Sequence, residues 1–211
     1  VAVLGKDYHD LKPTMFAKVG DYVIKGQKLL EDKKIPGLFL VSPISGEVTE
    51  INRGERRAFE SIVIETDNKD EEIIFIENLS NFHANKENVI DILIESGLWA
   101  NFKKRPFSKV PNIDENVDEI FISCLDTSPL SVDPEIFIEQ NLDDFNKGIE
   151  IISLITSKYV HISSKIGSNL FVESEKVRLY ELNNLHPAGN VGTQIHYISP
   201  LGRNKSVWTI N

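Results

Sequence analysis

The sequence predicts an α/β protein built from two domains, a small all-β domain followed by a mixed α/β domain with a partly parallel sheet. Three observations lead to this prediction. Short apolar segments separated by glycines fill residues 1–66, segments with a helical period follow from residue 80, and an acidic polar run (TDNKDEE) lies between them. The net charge of −9 is unevenly spread, because residues 1–66 are neutral, 67–100 carry −6 and 101–211 carry −3. We therefore place the domains at 1–66 and 80–211, joined by a linker or connecting strand at 67–79.

In the first domain, short strands should alternate with tight turns. The predicted strands are Val19–Val23, Lys25–Glu31, Leu38–Val41, Ser42–Ile51 and Ser61–Glu65. Glycine at the corners permits the positive φ that tight turns need. Strands of this length and spacing are typical of a small sandwich or barrel.

In the second domain, helices and buried strands should alternate. The sequence predicts helices over Asn85–Phe102 and Leu142–Thr156, a helix start at Asp133–Glu135, and strands at Glu119–Leu125, Tyr159–Ser163 and Val177–Leu182. The stretch EIFISCL is apolar enough to be buried on both faces, as strands of parallel sheets are. This order of elements, which ends in a glycine-bearing turn, predicts an α/β layer with a partly parallel sheet.

The composition excludes several classes of protein. A net charge of −9 and a pI of about 5.1 oppose sequence-independent nucleic-acid binding, which needs a basic face. A single cysteine, Cys124, cannot form an internal disulfide framework or a cysteine-rich zinc or iron–sulfur site, so a reducing cytosol fits best. The longest uncharged stretch, Leu182–Gly202, is too polar for a bilayer span, and the first residues do not resemble a signal peptide. The missing initiator Met and a final segment that resembles an interrupted strand lead us to expect a fragment of a longer protein.

Two basic segments stand out on this acidic chain. The segment from Lys103 to Pro111 places four cations in seven residues and is stiffened by prolines, so it should attract an anionic ligand, a partner or a lipid surface. Its candidate contact residues are Arg105, Phe107 and Lys109. The second segment is a predicted hairpin tip that carries Arg53, Arg56 and Arg57. Guanidinium groups bind carboxylate or phosphate with two hydrogen bonds, but a solvated turn explains the same pattern.

Two further segments follow predicted strands, where ligands of open α/β sheets bind. Asp126 and Thr127 come directly after the first strand of the second domain, although an aspartate and a Ser-Pro pair are equally typical of a turn. The segment HPAGNVGTQIH follows the third strand, and its glycines and threonine allow the backbone to approach an anion at a helix start. Its candidate contact residues are His186, Gly189, Gly192 and Thr193.

Other chemical motifs are missing from the sequence. There is no Rossmann, P-loop, GxSxG or HExxH motif, and His186 and His196 lack an acidic or cysteine neighbour that would complete a metal site. Cys124 lies within an apolar run and should be a buried small hydrophobic residue. No role is predicted for His9, His83 and His161.

The first domain resembles the biotinyl and lipoyl carrier domains, which are barrel-sandwich hybrids. The resemblance lies in two similar segments, GDYVIKGQ at 20–27 and SGEV at 45–48. Carrier domains present a modified lysine on an exposed turn, and Lys33 and Lys34 fall near that turn. Their neighbours are not those that carrier-modifying enzymes expect. We therefore favour an unmodified barrel-sandwich scaffold, with a carrier domain as an alternative.

Several longer segments together resemble one family over the whole chain. They are INRGERR at 51–57, RPFSKVP at 105–111, LDTSPLSVDPE at 125–135, HPAGNVGTQIH at 186–196, the opening VAVLGKDYHDLKPTMFAKVGD, and EDKKIPG. The chain is similar to the A subunit of the bacterial Na⁺-translocating NADH:quinone oxidoreductase. Because members of this family are considerably longer, we expect the N-terminal portion of such a subunit, with its α/β domain truncated at the C-terminus.

The resemblance implies a peripheral subunit on the cytoplasmic side of the bacterial inner membrane, with no transmembrane segment of its own. Its complex passes electrons from NADH to ubiquinone and exports sodium, and the other subunits of that complex are the implied partners. The family implies flavins and iron–sulfur in sister subunits, no cofactor bound by this chain, and ubiquinone as a candidate ligand. The α/β domain should resemble the flavin module of NADH dehydrogenases. The related Rnf subunit carries cysteine-ligated clusters, which a chain with one cysteine does not match.

On this hypothesis the chain supports docking between subunits and quinone interaction and has no catalytic residues of its own. Its quinone or partner contacts are Arg105, Phe107, Lys109, Asp126, Thr127, His186, Gly189, Gly192 and Thr193, and its further partner contacts are Arg53, Arg56 and Arg57. The family usually has leucine at Asn190 and histidine at Gln194, so both departures should alter any contact surface there. A flavin- or nucleotide-binding module that acts alone is the alternative.

Overall fold

The computed structural model describes residues 1–76, 84–170, 173–203 and 205–210. These residues form two compact units, the first from 1–76 and 90–100 and the second from 84–89 and 101–210. The predicted domain start at residue 80, the end of the predicted linker, and His83 lie outside the described residues. The domain boundaries at 66 and 80 stay predictions.

In the described part of the first unit, short strands form two antiparallel sheets. The strands are β1 (Ala2–Leu4), β2 (Pro13–Met15), β3 (Tyr22–Val23), β4 (Lys28–Asp32), β5 (Phe39–Val41), β6 (Gly46–Arg53) and β7 (Phe59–Thr66). One sheet has the order β1-β7-β6-β3 and the other has the order β2-β4-β5.

Side chains from both sheets form the core of the first unit. Val48 of β6 and Ile62 and Ile64 of β7 pack together with Val23 of β3 and Leu29 of β4, and all five are fully buried. Alternate residues of a strand face the same side, so the spacing of Ile62 and Ile64 places both side chains in this core. Two sheets around one apolar core confirm the predicted small sandwich.

The second unit contains one mixed sheet in its described residues. Its elements are β8 (Phe102–Lys104), β9 (Val117–Ser123), α2 (Glu135–Gln140), α3 (Leu142–Ser153), β10 (Thr156–Lys165), β11 (Val177–Leu182), α4 (Val191–Ile198) and β12 (Val207–Ile210). The order of the sheet is β11-β10-β9-β12-β8, in which β8 is antiparallel to β12 and the other neighbours are parallel. The predicted partly parallel sheet is confirmed.

The predicted helix over Asn85–Phe102 is wrong in its second half. Helix α1 covers Lys86–Glu95 only, and the chain then turns through Gly97 at a φ of +73°. A Cβ at Gly97 would also lie 3.0 Å from both methyl carbons of Val41, so a glycine fits this turn on two counts. A short 3₁₀ turn continues the apolar pattern from Leu98 to Asn101, which explains why the period suggested a longer helix.

Other predicted elements agree with the structure. Strand β9 confirms the strand predicted at Glu119–Leu125 and is buried along both faces. Strand β11 coincides with the predicted Val177–Leu182. The predicted helix start is confirmed by Asp133, whose Oδ1 accepts a hydrogen bond from the backbone N–H of Glu135 at 3.0 Å.

Helices pack on this sheet and leave one edge for the connecting loops. Ile195 of α4 packs against Phe121 of β9 and Val207 of β12, and α3 packs against β10. Because β9, β10 and β11 are parallel, the loops that follow them begin at the same edge, at Cys124, Ile166 and Asn183 respectively. We call this the carboxyl edge of the sheet, which is where open α/β sheets bind ligands.

Candidate functional site at the carboxyl edge

Thr127 joins the loop after β9 to the loop after β11. Its Oγ1 accepts a hydrogen bond from the backbone N–H of Gly189 at 3.0 Å and lies 3.4 Å from Nδ1 of His186. Position 189 has no room for a side chain, because a Cβ there would lie 2.5 Å from the backbone nitrogen of Thr127. The structure therefore brings together three of the predicted site residues: Thr127, His186 and Gly189.

Asp126 has a structural role in the same loop. Its Oδ1 accepts a hydrogen bond from the backbone N–H of Ser128 at 2.8 Å. This hydrogen bond, assisted by the charge of His186, holds the pKa of Asp126 below its ordinary value. The turn that the sequence analysis gave as the alternative role of this aspartate is therefore present. A ligand contact by Asp126 stays a prediction.

Gln194 of α4 ties the helix to the end of β9 and to the loop after β11. It is 2% exposed, and its Nε2 donates to Ser123 Oγ at 2.9 Å and to the carbonyl oxygen of Ala188 at 3.0 Å. Gln194 also lines a cavity beside the loop after β11, so its effect on a contact surface stays a prediction. Asn190, directly before α4, is exposed, and its effect on a surface stays a prediction.

A cavity of about 580 Å³ opens beside the loop after β11. Its walls are mostly apolar and include Ile166, Leu182, Leu185, Pro187, Tyr197 and Ile198. Its polar lining residues are Glu181, Asn183, His186, Thr193 and Gln194, of which His186 and Thr193 are predicted site residues. A cavity of this size with apolar walls and a few polar groups is typical of a site for a small organic ligand.

A second, polar cavity of about 250 Å³ lies at the ends of β9 and β10 and is lined by Asp126, Thr127, Ser131, Asp133, Lys165 and other residues. Lys165 Nζ lies 2.7 Å from Asp133 Oδ2 and 3.1 Å from Glu135 Oε2. The hydrogen bond between Lys165 and Asp133 raises the pKa of Lys165 and lowers that of Asp133. Two carboxylates thus neutralise one lysine at the start of α2, which disfavours a nucleotide phosphate where such folds usually place one.

The turn after β8 lies at the opposite end of the sheet. Because β8 is antiparallel to β12, Arg105 follows it beside the amino end of β12, where its backbone N–H donates to the carbonyl oxygen of Val207 at 2.9 Å. The side chain of Arg105 reaches α4, and its Nη2 lies 3.0 Å from the point that a Cβ on Gly192 would occupy. Arg105 and Gly192 are therefore brought together, whereas Phe107 and Lys109 stay on the turn, away from the carboxyl edge.

The three candidate arginines of the first unit lie at the hairpin of β6 and β7, where Arg53 ends β6 and Arg56 and Arg57 lie on the turn. Residues 55–57 form a short 3₁₀ turn in which Arg56 and Arg57 both have positive φ, and all three arginines are exposed. Arg53 Nη1 lies 3.5 Å from the carbonyl oxygen of Arg57. The predicted hairpin tip is confirmed, and a partner contact by these arginines stays a prediction.

The two candidate carrier lysines lie on the exposed turn between β4 and β5. The amino group of Lys34 forms an ion pair with Asp10. The carboxylate of Asp32 accepts hydrogen bonds from the backbone N–H groups of Lys12 and Lys34, which fixes the turn. Lys33 is thus the better placed of the two for modification.

Sequence reasoning missed a buried polar network across three strands. Glu119 Oε2 lies 3.1 Å from His161 Nε2 and 2.8 Å from Lys205 Nζ, and His161 Nδ1 lies 3.1 Å from the hydroxyl of Tyr180. Burial lowers the pKa of His161. Burial opposes the charge of Glu119, but hydrogen bonds from Lys205 and Ser199 outweigh it and lower the pKa of this carboxyl. The one sequence feature that pointed to this network was Glu119, a carboxylate inside a strand predicted to be buried.

The protonation states of this network follow from its hydrogen bonds. An ionised carboxylate only accepts, so neutral His161 donates through Nε2 to Glu119. Its Nδ1 then accepts the hydroxyl proton of Tyr180. The network is internal and ties β9, β10 and β11 together.

Metal-binding clusters and membrane spans are both missing from the described part of the chain. Among the described residues, no group of three or more His, Cys, Asp or Glu side chains is arranged to hold a metal ion. None of the helices in the same ranges has the length and apolar character that crossing a bilayer requires.

The fold and the cavity define a two-part protein, a barrel-sandwich hybrid followed by an α/β domain with a ligand-type cavity at the carboxyl edge of its sheet. Residues 1–67 match the family model described as the NqrA N-terminal barrel-sandwich hybrid domain, and residues 84–211 match the one described as the NqrA second alpha/beta domain. The chain belongs to the NqrA family, which confirms the resemblance found in the sequence.

Curated relatives carry a more specific name. The chain is 41% identical over 215 residues to the A subunit of the Na(+)-translocating NADH-quinone reductase of Neisseria meningitidis serogroup A and 42% identical over 217 residues to that of Haemophilus influenzae strain PittGG. It is 40% identical over 215 residues to that of Neisseria gonorrhoeae strain NCCP11945. Each match covers 100% of this chain and 48% of the relative, so the chain spans about half the length of the curated relatives it matches.

Proposed function

We propose that the chain is a docking and quinone-contact part of a sodium-pumping NADH:quinone reductase. The relatives are named as the A subunit of that enzyme, and the match extends over the whole chain. In this proposal the flavins and iron–sulfur groups belong to sister subunits, and the chain sits at the cytoplasmic side of the membrane complex. Its contribution is to bind and position partners rather than to carry electrons.

The cavity at the carboxyl edge is the observation that carries the quinone part of this proposal. A quinone headgroup is a flat apolar ring with carbonyl oxygens, so it needs apolar walls and a hydrogen-bond donor. Leu182, Pro187 and Ile198 supply such walls. His186 lines the same cavity, and when Thr127 donates its hydroxyl proton to Nδ1, the Nε2 of His186 carries a hydrogen that a carbonyl oxygen can accept.

The loops around the cavity are built to hold His186 in place. Thr127 contacts both Gly189 and His186, and Gln194 fastens the carbonyl of Ala188 to the sheet. A donor on a loop fixed by such contacts loses less conformational entropy when a ligand binds. In this proposal Thr127 and Gln194 position His186, and Thr193 lines the wall.

A photoreactive quinone analogue bound to the assembled complex tests the quinone contact. Peptide mapping should find the label within residues 182–198, and His186→Leu should reduce labelling and raise the KM for quinone by about tenfold, the usual cost of one lost hydrogen bond. His196→Leu is a matched control, because His196 is exposed on α4 but does not line the cavity. Label confined to other subunits, or an unchanged KM in the His186 variant, would contradict the quinone contact.

Deleting the subunit tests docking separately. Membranes that lack it should lose quinone reduction and sodium export, because the remaining subunits lose a partner surface. Full activity without the subunit would contradict the proposal as a whole.

The two alternatives from the sequence find less support. The neutralised Lys165 and the acidic start of α2 disfavour a nucleotide phosphate, and the absence of a thermal shift with flavin or NADH would remove that alternative. A carrier domain requires a covalent group, so intact mass after expression in the native host would rise by one cofactor attached to Lys33 or Lys34.

A further inference from the structure

The turn that follows β8 presents an aromatic ring among cations. We call residues 103–109 the basic turn. Its base is closed by the backbone N–H of Lys104, which donates to the carbonyl oxygen of Lys109 at 2.7 Å. Its side is closed by Arg105, whose Nη1 donates to Ser108 Oγ at 2.7 Å. Phe107 stands at the tip with 78% of its surface exposed.

The charge of the basic turn contrasts with the rest of the chain. Four of its seven residues are cations, on a protein whose net charge is −9. Lys104 forms an ion pair with Glu115, whereas Arg105 donates to the neutral hydroxyl of Ser108 and has no ion-pair partner among the described residues. Lys109 is exposed. A partner of this turn should therefore be anionic.

The shape of the turn favours one class of anionic partner, a bilayer surface, over a protein. Phe107 is largely exposed on a turn that is closed by its own hydrogen bonds, so a protein partner would need a pocket for the ring together with acidic groups around it. A bilayer surface needs no such pocket, because aromatic rings settle among the headgroups while adjacent cations reach the phosphates. Each Lys or Arg near an anionic bilayer adds an attraction that depends on ionic strength.

We infer that the basic turn is a membrane-surface contact that binds anionic phospholipid headgroups, with Phe107 among the headgroups and Lys109 on the phosphates, while Arg105 closes the turn and adds its positive charge. This contact goes beyond the proposed function and does not depend on it for its test, since vesicle binding requires no other subunit. One turn of this size gives weak binding by itself, and a membrane-bound neighbour would add to it by multivalency.

The test uses the purified full chain and sedimented vesicles of phosphatidylcholine with or without about one-third phosphatidylglycerol. Binding should appear only with the anionic lipid and should be lost on raising the salt concentration. Lys109→Glu changes two charge units and should weaken partitioning about twentyfold, and Phe107→Ala should weaken it about fivefold. Lys147→Glu and Phe137→Ala are matched controls, because both wild-type side chains are exposed elsewhere in the second unit.

A spectroscopic measurement reports whether the tip itself enters the interface. Both natural tryptophans, Trp99 and Trp208, are buried at 1% exposure, so a Phe107→Trp variant adds an exposed fluorophore at the tip. Its emission should shift to the blue with anionic vesicles and not with neutral ones. Equal binding of the basic-turn variants and their controls, or no blue shift, would overturn the inference. Loss of complex assembly in the Phe107 variant without any vesicle binding would also overturn it, and would assign the turn to a protein partner while leaving the proposed function intact.

Discussion

His161 Nε2 lies 3.1 Å from Glu119 Oε2 in the interior of the second unit, where both residues are 5% exposed or less. The pair joins neighbouring parallel strands, and Lys205 supplies the opposite charge on the same carboxylate oxygen. Because Glu119 stays ionised while His161 stays neutral, the interaction is sensitive both to pH and to the loss of a single charge.

Stability should fall as the pH drops below 6.5, the ordinary pKa of histidine. The folded-state pKa of His161 is lowered, so the unfolded chain binds its proton first and acidification favours unfolding. Urea denaturation between about pH 7.5 and about pH 5.5 measures the effect. His161→Gln keeps a donor and an acceptor without titrating, so its stability should depend less on pH, whereas His196→Gln should behave like the wild type. Equal pH dependence in all three proteins would contradict this assignment.

Replacing Glu119 by Gln should destabilise the fold by about 3 kcal/mol, because it leaves the ammonium of Lys205 without its counter-charge in a site that is largely closed to water. The exposed pair of Lys147 and Glu150 offers a control at a similar distance of 2.9 Å. Glu150→Gln should cost less than about 0.5 kcal/mol. Chemical denaturation gives both values, and similar costs for the two variants would show that Lys205 finds another partner.

Two glycine substitutions should change the stability of the fold in opposite directions. Gly189→Ala forces a Cβ to within 2.5 Å of a backbone nitrogen of Thr127, and we expect a loss of about 2 kcal/mol. Gly148 lies inside α3 with nothing within 4 Å of its missing Cβ, so Gly148→Ala should gain about 0.5–1 kcal/mol from helix propensity. Thermal unfolding of both variants checks the pair, and a stabilised Gly189 variant would mean that the two loops are not in contact.

Cys124 should be inert in the folded protein. Burial raises the pKa of its thiol to about 12, and the nearby Glu135 adds to that shift. Alkylation should be slow under native conditions and fast in urea, and the only cysteine of the chain makes the signal unambiguous. The unfolded thiol ionises near pH 9.0 while the folded thiol keeps its proton, so stability should fall as the pH rises above 9.0. Rapid native alkylation would refute the buried position.

Local patterns in the sequence were enough to predict several elements of this fold. The alternation and apolar content around β9 and β11 located both strands, and Asp133 with its proline indicated a helix start that the structure contains. Such features depend on neighbours a few residues away, so periodicity and capping rules apply to them directly.

Those rules could not predict contacts between residues that are far apart in the sequence. His161 had no predicted role, yet its register beside β9 and β11 places it between Glu119, 42 residues away, and Tyr180, 19 residues away. Gln194 was noted only as a departure from the family pattern, and the packing of α4 turns its Nε2 toward Ser123, 71 residues earlier. Only the strand order decides such neighbours, and the strand order is not encoded in any local window.

The sequence predicted where the candidate site lies, but it did not predict which of the candidate residues meet there. The rule for open α/β sheets placed Thr127 and His186 at one edge, and the structure finds their side chains 3.4 Å apart. The antiparallel direction of β8 places Phe107 and Lys109 at the other end of the sheet. That direction depends on β12, which pairs with β8 from more than 100 residues away along the chain.

The insertion of β12 between β9 and β8 affects how the chain acquires its shape. Asp118 and Ser206, hydrogen-bonded at 2.9 Å, are 88 residues apart, so one side of β9 must wait for most of the second unit to leave the ribosome. Closing so long a loop is entropically costly and makes folding slow. During that interval an apolar strand edge stays open to wrong pairing, and a chaperone that shields it would raise the yield of native protein.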